Sequence, residues 1–355
     1  MINPYVTIII PTHERQGVLR RSIDYYKSFD CNILIADSSS KNLNYKFPRN
    51  VIYKHLPGVS FAKKIHEVAE SITTAYVCIS ADDDYLLESS LRAGACFLDG
   101  NQDFVSVQGR YLKLELIENQ VIFSPLYDQE QCCYAVTDED SFSRVASAYG
   151  QYQHHIYSIH RVDLFVKAFQ SCVDVSTCII VELATILVPM CYGKHKVLPI
   201  VWMARDSHKF FRPNSYQEPY PNKAKSGSIL FHYRNHDHTI KEVKSFLASE
   251  ESQSVKKKFL SILSELVLGD KEREKIFNVA FKNFVRTIVN RRNKAVAKMI
   301  IKSLLPDWVL SYYFKRKTSK YMSVIKADSS TKVALDKIQS SVLSFKECYG
   351  KDIGR

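Results

Sequence analysis

The sequence predicts an α/β domain, a three-layer sandwich with a mostly parallel sheet, followed by a smaller α-helical domain. Strands alternate with helices over roughly the first 110 residues, which is the pattern of a sheet covered by helices on both faces. These strands are continuous runs rich in β-branched residues, as expected for strands buried on both faces. After residue 228 every periodic segment is helical.

The elements follow in a regular order. Strands are predicted at 5–10, 31–36, 51–54, 75–80, 104–107, 156–160 and 197–203. Helices are predicted at 16–28, 60–73, 87–98, 163–171 and 178–188, the second with Ser60 as N-cap. Proline-rich, polar residues from 211 to 228 mark a linker. Beyond them, helices are predicted at 255–268 and from 270 to about 305. We therefore expect one domain over 1–215, a linker over 216–228 and a basic helical domain over 229–355.

The composition excludes several classes of protein. The chain has 355 residues, 46% of them hydrophobic and 24% charged, which excludes disordered and collagen-like classes. Nine cysteines without a CxxC pair indicate reduced thiols in the cytoplasm, not a disulfide framework or a zinc site. No signal peptide is expected at the N-terminus. The longest apolar stretch, 178–192, contains Glu182 and Pro189 and is too short to span a bilayer.

The charge is unevenly distributed. Residues 1–215 contain 21 Lys/Arg and 23 Asp/Glu, whereas residues 216–355 contain 28 and 14, so the net charge of +12 comes from the C-terminal part. Such asymmetry indicates an anionic partner, either membrane lipid or nucleic acid.

Three consecutive carboxylates carry the strongest chemical signal. Asp82, Asp83 and Asp84 directly follow a predicted buried strand. Carboxyl ends of parallel strands are where open α/β sheets bind ligands, and a divalent cation removes the mutual repulsion of such a cluster. The alternatives are a solvated acidic loop and an N-cap cluster for the next helix.

Four stretches in order carry a family resemblance. They read VTIIIPTHER (6–15), ILIADSS (33–39), SFAKKI (60–65) and AYVCISADDDY (75–85). Together they resemble the nucleotide-sugar-binding half of a GT-A-fold glycosyltransferase, similar to the family-2-like inverting enzymes of bacterial envelope polysaccharide synthesis. The resemblance is clear over residues 5–110, weaker to about 210 and absent beyond.

The resemblance implies a set of donor-binding residues. The nucleotide-sugar-binding positions are Pro11, Thr12, Glu14, Arg15, Asp37, Lys63, Asp82, Asp83 and Arg205. Among them, Asp37 corresponds to the acidic residue that accepts from the ring N–H of uracil. The family commonly has two acidic residues there and this chain has one, which leaves other nucleotides open.

Each assignment has a plain structural alternative. Asp37 could form an Asx turn, Arg15 could be a surface charge, and either Lys63 or its neighbour Lys64 is expected to be solvated. Lys63 is preferred as the diphosphate contact because it lies in the first turn of a helix aimed at the site.

The resemblance also implies a metal site and a base. Asp82, Asp84 and His208 match the positions that hold Mn²⁺ or Mg²⁺, although a continuous triplet leaves open whether Asp83 alone contacts the metal. Glu182 matches the carboxylate that takes the proton from the acceptor hydroxyl. Asp174 is the second candidate for that base. Glu182 could instead be paired with Arg161 or Lys194.

The C-terminal part combines basic and aromatic residues. Between residues 282 and 320 there are 11 Lys/Arg and one acidic residue, interspersed with apolar side chains that include the aromatic residues Trp308, Tyr312, Tyr313 and Phe314. This composition favours binding to an anionic membrane surface. The alternative is a small helical domain with solvated lysines.

We therefore expect a metal-dependent glycosyltransferase, peripheral on the inner face of the membrane, that moves a sugar from a nucleotide sugar to a glycan or a lipid-linked glycan. A UDP-sugar is the expected donor and inversion the expected outcome. Two other functions were weighed: a nucleic-acid-binding protein and a sugar-phosphate nucleotidyltransferase. The acidic triplet does not favour binding to the negatively charged phosphate backbone of a nucleic acid, so no nucleic-acid partner is expected. A Gly-rich loop after the first strand, typical of nucleotidyltransferases, is absent from the sequence.

Overall fold

A ten-stranded mixed sheet forms the centre of the structure, a computed structural model that describes residues 5–117, 120–127, 134–150, 154–174, 178–206, 257 and 329–349. The strand order is β3-β2-β1-β4-β9-β6-β10-β5, and β7 and β8 pair with β6 and β10. Strands β1, β2, β3, β4, β6 and β10 point the same way, while the other four are antiparallel to their neighbours.

The strands and helices have the following bounds. The strands are β1 Val6–Thr12, β2 Asn32–Asp37, β3 Val51–His55, β4 Tyr76–Ile79, β5 Tyr85–Leu86, β6 Phe104–Ile117, β7 Gln120–Pro125, β8 Ala135–Val136, β9 Ile159–Arg161 and β10 Lys194–Asp206. The helices are α1 Gln16–Tyr26, α2 Phe61–Ala69, α3 Glu88–Gly100, α4 Ser141–Gly150, α5 Val162–Gln170, α6 Cys178–Tyr192 and α7 Ser329–Tyr349. A 3₁₀ turn covers His155–Tyr157.

Helices cover the sheet on both faces, which confirms the predicted three-layer architecture. One apolar core is shared by the sheet with α2, α4, α5 and α6. The other lies between the sheet and α1, α3 and α7. Because each central strand contributes to both cores, its side chains are apolar on both faces; Ile8 and Ile9, on opposite faces of β1, are both fully buried.

The predicted elements of the α/β domain are present, with differences at the short ones. The two-residue strands β5 and β8, the hairpin strand β7 and helix α4 are not among the predicted elements. Strand β6 runs ten residues beyond its predicted end at residue 107, because its second half pairs with β7 and with β10. Ser60 occupies the N-cap position of α2, but its side chain makes no capping hydrogen bond.

The order of the strands reverses next to β1. The chain passes from β1 to β2 and β3 on one side and returns with β4 on the other side of β1. Crevices at such a reversal, outside the carboxyl ends of the strands, are where open α/β sheets bind ligands. Thr12, Asp37 and the acidic triplet all lie at this edge.

The C-terminal helix α7 packs against the α/β domain. Its residues Ile338, Val342 and Phe345 are buried in the core that also contains α1 and α3. The predicted linker 216–228 lies outside the described residues, and so do the predicted helices between 255 and 305 apart from residue 257. No helix in the described part of the chain is long and apolar enough to cross a membrane.

Candidate functional site

Thr12 and the first residue of the acidic triplet meet at the strand ends. Thr12 is the last residue of β1 and stands in register with Asp37 at the end of β2. On its other side, Thr12 Oγ1 donates a 2.7 Å hydrogen bond to Asp82 Oδ2. Both side chains are buried. The ends of three neighbouring strands, β2, β1 and β4, therefore bring the predicted residues Asp37, Thr12 and Asp82 close together.

Arg15 bridges two carboxylates of the triplet. Its Nη1 lies 2.6 Å from Asp82 Oδ1 and its Nη2 lies 2.7 Å from Asp83 Oδ2. Burial raises the pKa of the Asp83 carboxyl, but the charge and hydrogen bond of Arg15, together with the charges of Arg21 and Arg205, outweigh it and hold that pKa below the usual range. Arg15 is thus not the surface charge considered as its alternative; its side chain is 12% exposed and tied to the triplet.

Asp84 is bound to the end of β10. Its Oδ2 accepts a hydrogen bond from Arg205 Nε at 3.1 Å, and its Oδ1 accepts from the backbone N–H of Asp206 at 3.0 Å. Arg205 also lies over the ring of Tyr157, 4.7 Å from its centroid. Burial raises the pKa of Asp84 to about 7, against the opposing effect of Arg205. Asp84 therefore links the acidic loop to β10 and to an aromatic side chain.

Asp37 is enclosed by the protein. Its Oδ1 accepts from the backbone N–H of Ser39 at 2.8 Å and from the Ser39 hydroxyl, and its Oδ2 accepts from the Tyr53 hydroxyl at 2.7 Å. The side chain is fully buried. The Asx turn weighed as the alternative is what the structure shows. A contact with a nucleobase stays a prediction, and it requires Ser39 or Tyr53 to move.

The loop after β1 has an unusual backbone conformation. Glu14 has a φ of 52°, in the left-handed region that residues other than glycine rarely adopt. Its carboxylate accepts a 2.6 Å hydrogen bond from the N–H of Ser40, and this bond lowers its pKa. The Ser39 hydroxyl lies 2.7 Å from the Glu14 N–H. Positive φ values of this kind cluster at functional sites, where neighbouring contacts hold them in place.

Of the two lysines in α2, Lys64 lies at the site. Its Nζ donates to the carbonyl oxygen of Thr12 at 2.6 Å and to Ser38 Oγ at 3.0 Å, and the side chain is buried. Lys63, the predicted diphosphate contact, is exposed. Adjacent helical residues point about 100° apart, so only one of the two faces the strand ends. The donor contact of Lys63 stays a prediction.

The carboxylates do not form a metal site in their present arrangement. No group of three His, Cys, Asp or Glu side chains within the described ranges is placed to hold a metal ion. Arginines occupy the carboxylates instead: Arg15 binds Asp82 and Asp83, and Arg205 binds Asp84. The third predicted ligand, His208, lies outside the described residues.

The candidate bases lie on and before α6. Glu182 is half-buried in the first turns of this helix, and Asp174 is exposed. The pairing partners considered for Glu182 bind elsewhere. Arg161 donates to the carbonyls of Phe104 and Leu98, and Lys194 pairs with two acidic residues in other segments.

Several residues of the site were missed by sequence reasoning. They are Ser39, Tyr53, Lys64, Tyr157 and Asp206. Tyr53, Tyr157 and Asp206 contact residues distant in the chain, whereas Ser39 and Lys64 lie within the stretches ILIADSS and SFAKKI without being marked there as site residues. His154, His155 and His160, which lie in or next to β9, are buried in the protein.

The fold resembles that of known glycosyltransferases. The crystal structure of S. aureus TarS 1–349 is similar with a TM-score of 0.51 and 12% identity, covering 98% of this chain and 91% of that chain. The structure of the same TarS fragment in complex with UDP-GlcNAc gives a TM-score of 0.50 at 12% identity, with coverage of 98% and 92%. TarS is a GT-A-type transferase, so the predicted GT-A-like fold is confirmed. No protein-family profile matches the sequence, and no curated protein matches it significantly.

Proposed function

We propose that this chain is a glycosyltransferase that uses a nucleotide-sugar donor, in the first instance a UDP-sugar. The observation that carries the proposal is the meeting of Thr12, Arg15 and the acidic triplet at the strand-order reversal of a GT-A-like sheet. TarS, which has this fold, is known in complex with UDP-GlcNAc. A diphosphate requires positive charge, and Arg15, Arg205 and Lys64 supply it at the same edge.

The arginines are suited to hold the diphosphate. A guanidinium offers five N–H donors in a planar fork, so Arg15 retains donors for phosphate oxygens while it binds two carboxylates. Arg15 also directly precedes the first residue of α1, where free backbone N–H groups favour an anion. In this proposal Pro11, Thr12, Glu14 and Asp37 lie on the nucleoside side.

Glu182 is the proposed general base. In the proposed reaction the acceptor hydroxyl gives its proton to the Glu182 carboxylate and its oxygen attacks the anomeric carbon. The bond from that carbon to the diphosphate oxygen breaks, and the nucleoside diphosphate leaves with the electron pair. Attack from the face opposite the leaving group inverts the anomeric configuration. Glu182 is half-buried in the first turns of α6, within an otherwise apolar helix.

A divalent cation, Mn²⁺ or Mg²⁺, is retained as a proposed cofactor with Asp82, Asp84 and His208 as its ligands. The present arrangement of the carboxylates does not fit it, since Arg15 and Arg205 hold them. Cation binding thus requires these arginines to shift towards the donor phosphates.

The proposed acceptor is a glycan or a lipid-linked glycan. The excess of Lys/Arg in residues 216–355 supports contact with an anionic membrane surface, and hence a peripheral position on the inner face of the membrane. A surface-bound enzyme would meet a lipid-linked acceptor at high local concentration.

A thermal-shift panel of nucleotides and nucleotide sugars, with and without Mn²⁺, tests the proposal. We expect UDP and at least one UDP-sugar to raise the melting temperature, because a ligand that binds only the folded state stabilises it. Incubation of the stabilising sugar nucleotide with candidate acceptors then should release UDP. If no nucleoside diphosphate and no nucleotide sugar raises the melting temperature, with or without Mn²⁺, the proposed function is refuted.

A further inference from the structure

The side chain of Arg21 connects the C-terminal helix to the acidic loop. Arg21 lies in the middle of α1, and its side chain is only 2% exposed. Its guanidinium lies between two rings, 5.2 Å from the centroid of Tyr85 and 4.9 Å from that of Phe345. Tyr85 directly follows the acidic triplet, and Phe345 belongs to α7. The two rings thus come from segments 260 residues apart in the chain.

The same guanidinium contacts both the acidic loop and the end of β10. Its Nη2 donates to the backbone carbonyl of Asp83 at 3.2 Å. Its Nη1 lies 3.3 Å from Asp206 Oδ2, on a carboxylate that is as buried as Arg21 itself. The backbone N–H of Asp206 in turn donates to Asp84. Arg21 therefore joins the triplet to the end of β10 through two routes.

Burying the charge of Arg21 lowers stability unless neighbouring groups compensate for the lost hydration. Removing a guanidinium from water carries a penalty of several kcal/mol, which the carboxylate, the carbonyl and the two ring faces offset. Helix α7 contributes to this balance, because Ile338, Val342 and Phe345 share one face and seal the core beneath Arg21. Without Phe345, one face of the guanidinium would lose its ring.

We propose that Arg21 is a positioning residue for the donor site and that α7, through Phe345, supports that site. Arg21 acts on the donor through the backbone of Asp83 and through Asp206, which hold the acidic loop at the strand ends. This inference rests on the proposed function for its ligand. It assigns the C-terminal helix a role in donor binding, although helix and donor residues lie at opposite ends of the chain.

Two variants and one control test this role. Arg21→Met removes the guanidinium and keeps an unbranched apolar stem. Phe345→Leu keeps an apolar side chain and removes the ring face. Val333→Ser, on the same helix but 67% exposed, is the matched control. Melting temperature, UDP affinity by calorimetry, and amide exchange of residues 82–86 without ligand are measured for each.

We expect both variants to bind UDP more weakly while they still melt cooperatively, by about tenfold for Arg21→Met and about threefold for Phe345→Leu. Steady-state KM for the donor should rise in parallel. Exchange of residues 82–86 should accelerate, and Val333→Ser should match the wild type. If Arg21 and Phe345 only stabilise the fold, their replacement will lower the melting temperature and leave the UDP affinity of the folded protein unchanged. That result would overturn the inference.

The two proposals fail in different ways. A wild-type protein that binds no nucleotide contradicts the proposed function, and amide exchange of residues 82–86 then decides the inference by itself, since it needs no ligand. If Arg21→Met does not fold, Phe345→Leu decides: unchanged exchange and unchanged UDP affinity in that variant refute the role of α7.

Discussion

Thr12 and Asp82 are joined by a 2.7 Å hydrogen bond that spans the reversal of strand order between β1 and β4. The two residues are 70 positions apart in the chain. Because both side chains are buried, the bond holds the acidic loop against the end of β1. Arg15 adds a second link to the same carboxylate. The candidate donor site is thus assembled by contacts between strand ends before any ligand binds.

Replacing Asp82 and Asp84 together by Asn should abolish Mn²⁺-dependent stabilisation by UDP and all sugar transfer. The double variant loses both negative charges that a cation would need. It should also melt at a lower temperature than the wild type, because Asp84 binds Arg205 and the N–H of Asp206. Thermal shift with UDP, with and without Mn²⁺, measures both effects. Asp24→Asn, at an exposed carboxylate, is the control. Normal transfer by the double variant would rule out the metal assignment.

The variant Glu182→Gln should bind the donor as tightly as the wild type and turn over more slowly by about 100-fold to 10,000-fold. Glutamine preserves the shape of the side chain but accepts no proton, and loss of a general base typically has this magnitude. Calorimetry with UDP and initial rates of transfer separate the two effects. Asp174→Asn is the parallel variant. If Glu182→Gln retains full activity and Asp174→Asn does not, the base is Asp174.

The two neighbouring lysines of α2 should behave differently. Lys64→Met removes the buried ammonium together with its two hydrogen bonds, to the Thr12 carbonyl and to Ser38 Oγ. We expect the free energy of unfolding to fall by about 1–3 kcal/mol and UDP to bind more weakly. Lys63→Met, at an exposed position, should leave stability unchanged and weaken UDP binding only if Lys63 contacts the diphosphate. Denaturant titrations and UDP calorimetry on both variants make the comparison. Wild-type stability in Lys64→Met would contradict the structural role.

Three buried histidines should make the protein sensitive to acid. Burial lowers the pKa of His155 to about 3 and that of His160 to about 4, and it lowers the pKa of His195 well below its usual value. The rings of His155 and His195 stack with centroids 4.2 Å apart. All three are neutral in the folded protein, whereas in the unfolded chain they take up protons near pH 6.5. Their contribution to stability is therefore complete above that pH and is lost as the pH falls towards the folded values.

The three histidines together should lower the free energy of unfolding by at most about 4 kcal/mol between pH 6 and pH 5, because each of them contributes up to about 1.4 kcal/mol per pH unit. Chemical denaturation at several pH values measures the slope. His160→Gln, which can still donate to the His155 carbonyl, should reduce the slope by up to about 1.4 kcal/mol per pH unit, while Asp84, whose pKa is raised to about 7, acts in the opposite direction in both proteins. His66→Gln, outside this cluster, is the control. An equal slope in His160→Gln and the wild type would show that His160 does not contribute.

The basic C-terminal part should bind vesicles that contain anionic lipid and bind neutral vesicles much less. Each Lys or Arg near such a surface contributes roughly 1 kcal/mol, and added salt should release the protein because it screens this attraction. Replacing Lys315, Arg316 and Lys317 by Ser should weaken co-sedimentation and leave UDP binding unchanged. Equal sedimentation with neutral and anionic vesicles would point to another partner for the basic residues.

The class of fold and the place of the site could be predicted from the sequence. Continuous β-branched runs occur where strands are buried on both faces, and the polar residues that follow them must lie at the sheet edge. Three such strand ends and one helix start, in order, resemble a GT-A-fold transferase, and this resemblance predicted Thr12, Arg15 and the acidic triplet at one edge. These predictions succeed because they depend on local periodicity and on the direction of parallel strands.

The tertiary structure alone decided how the side chains at that edge are paired. Lys63 and Lys64 differ by one position, and only the packing of α2 on the sheet determines which one reaches Thr12. Asp37 is enclosed by Tyr53, which belongs to the next strand. Arg21 reaches Asp206 and Phe345 across 185 and 324 positions of the chain. Such contacts leave no trace in local sequence, because the free energy that selects them comes from burial and charge pairing between segments that meet only in the folded protein.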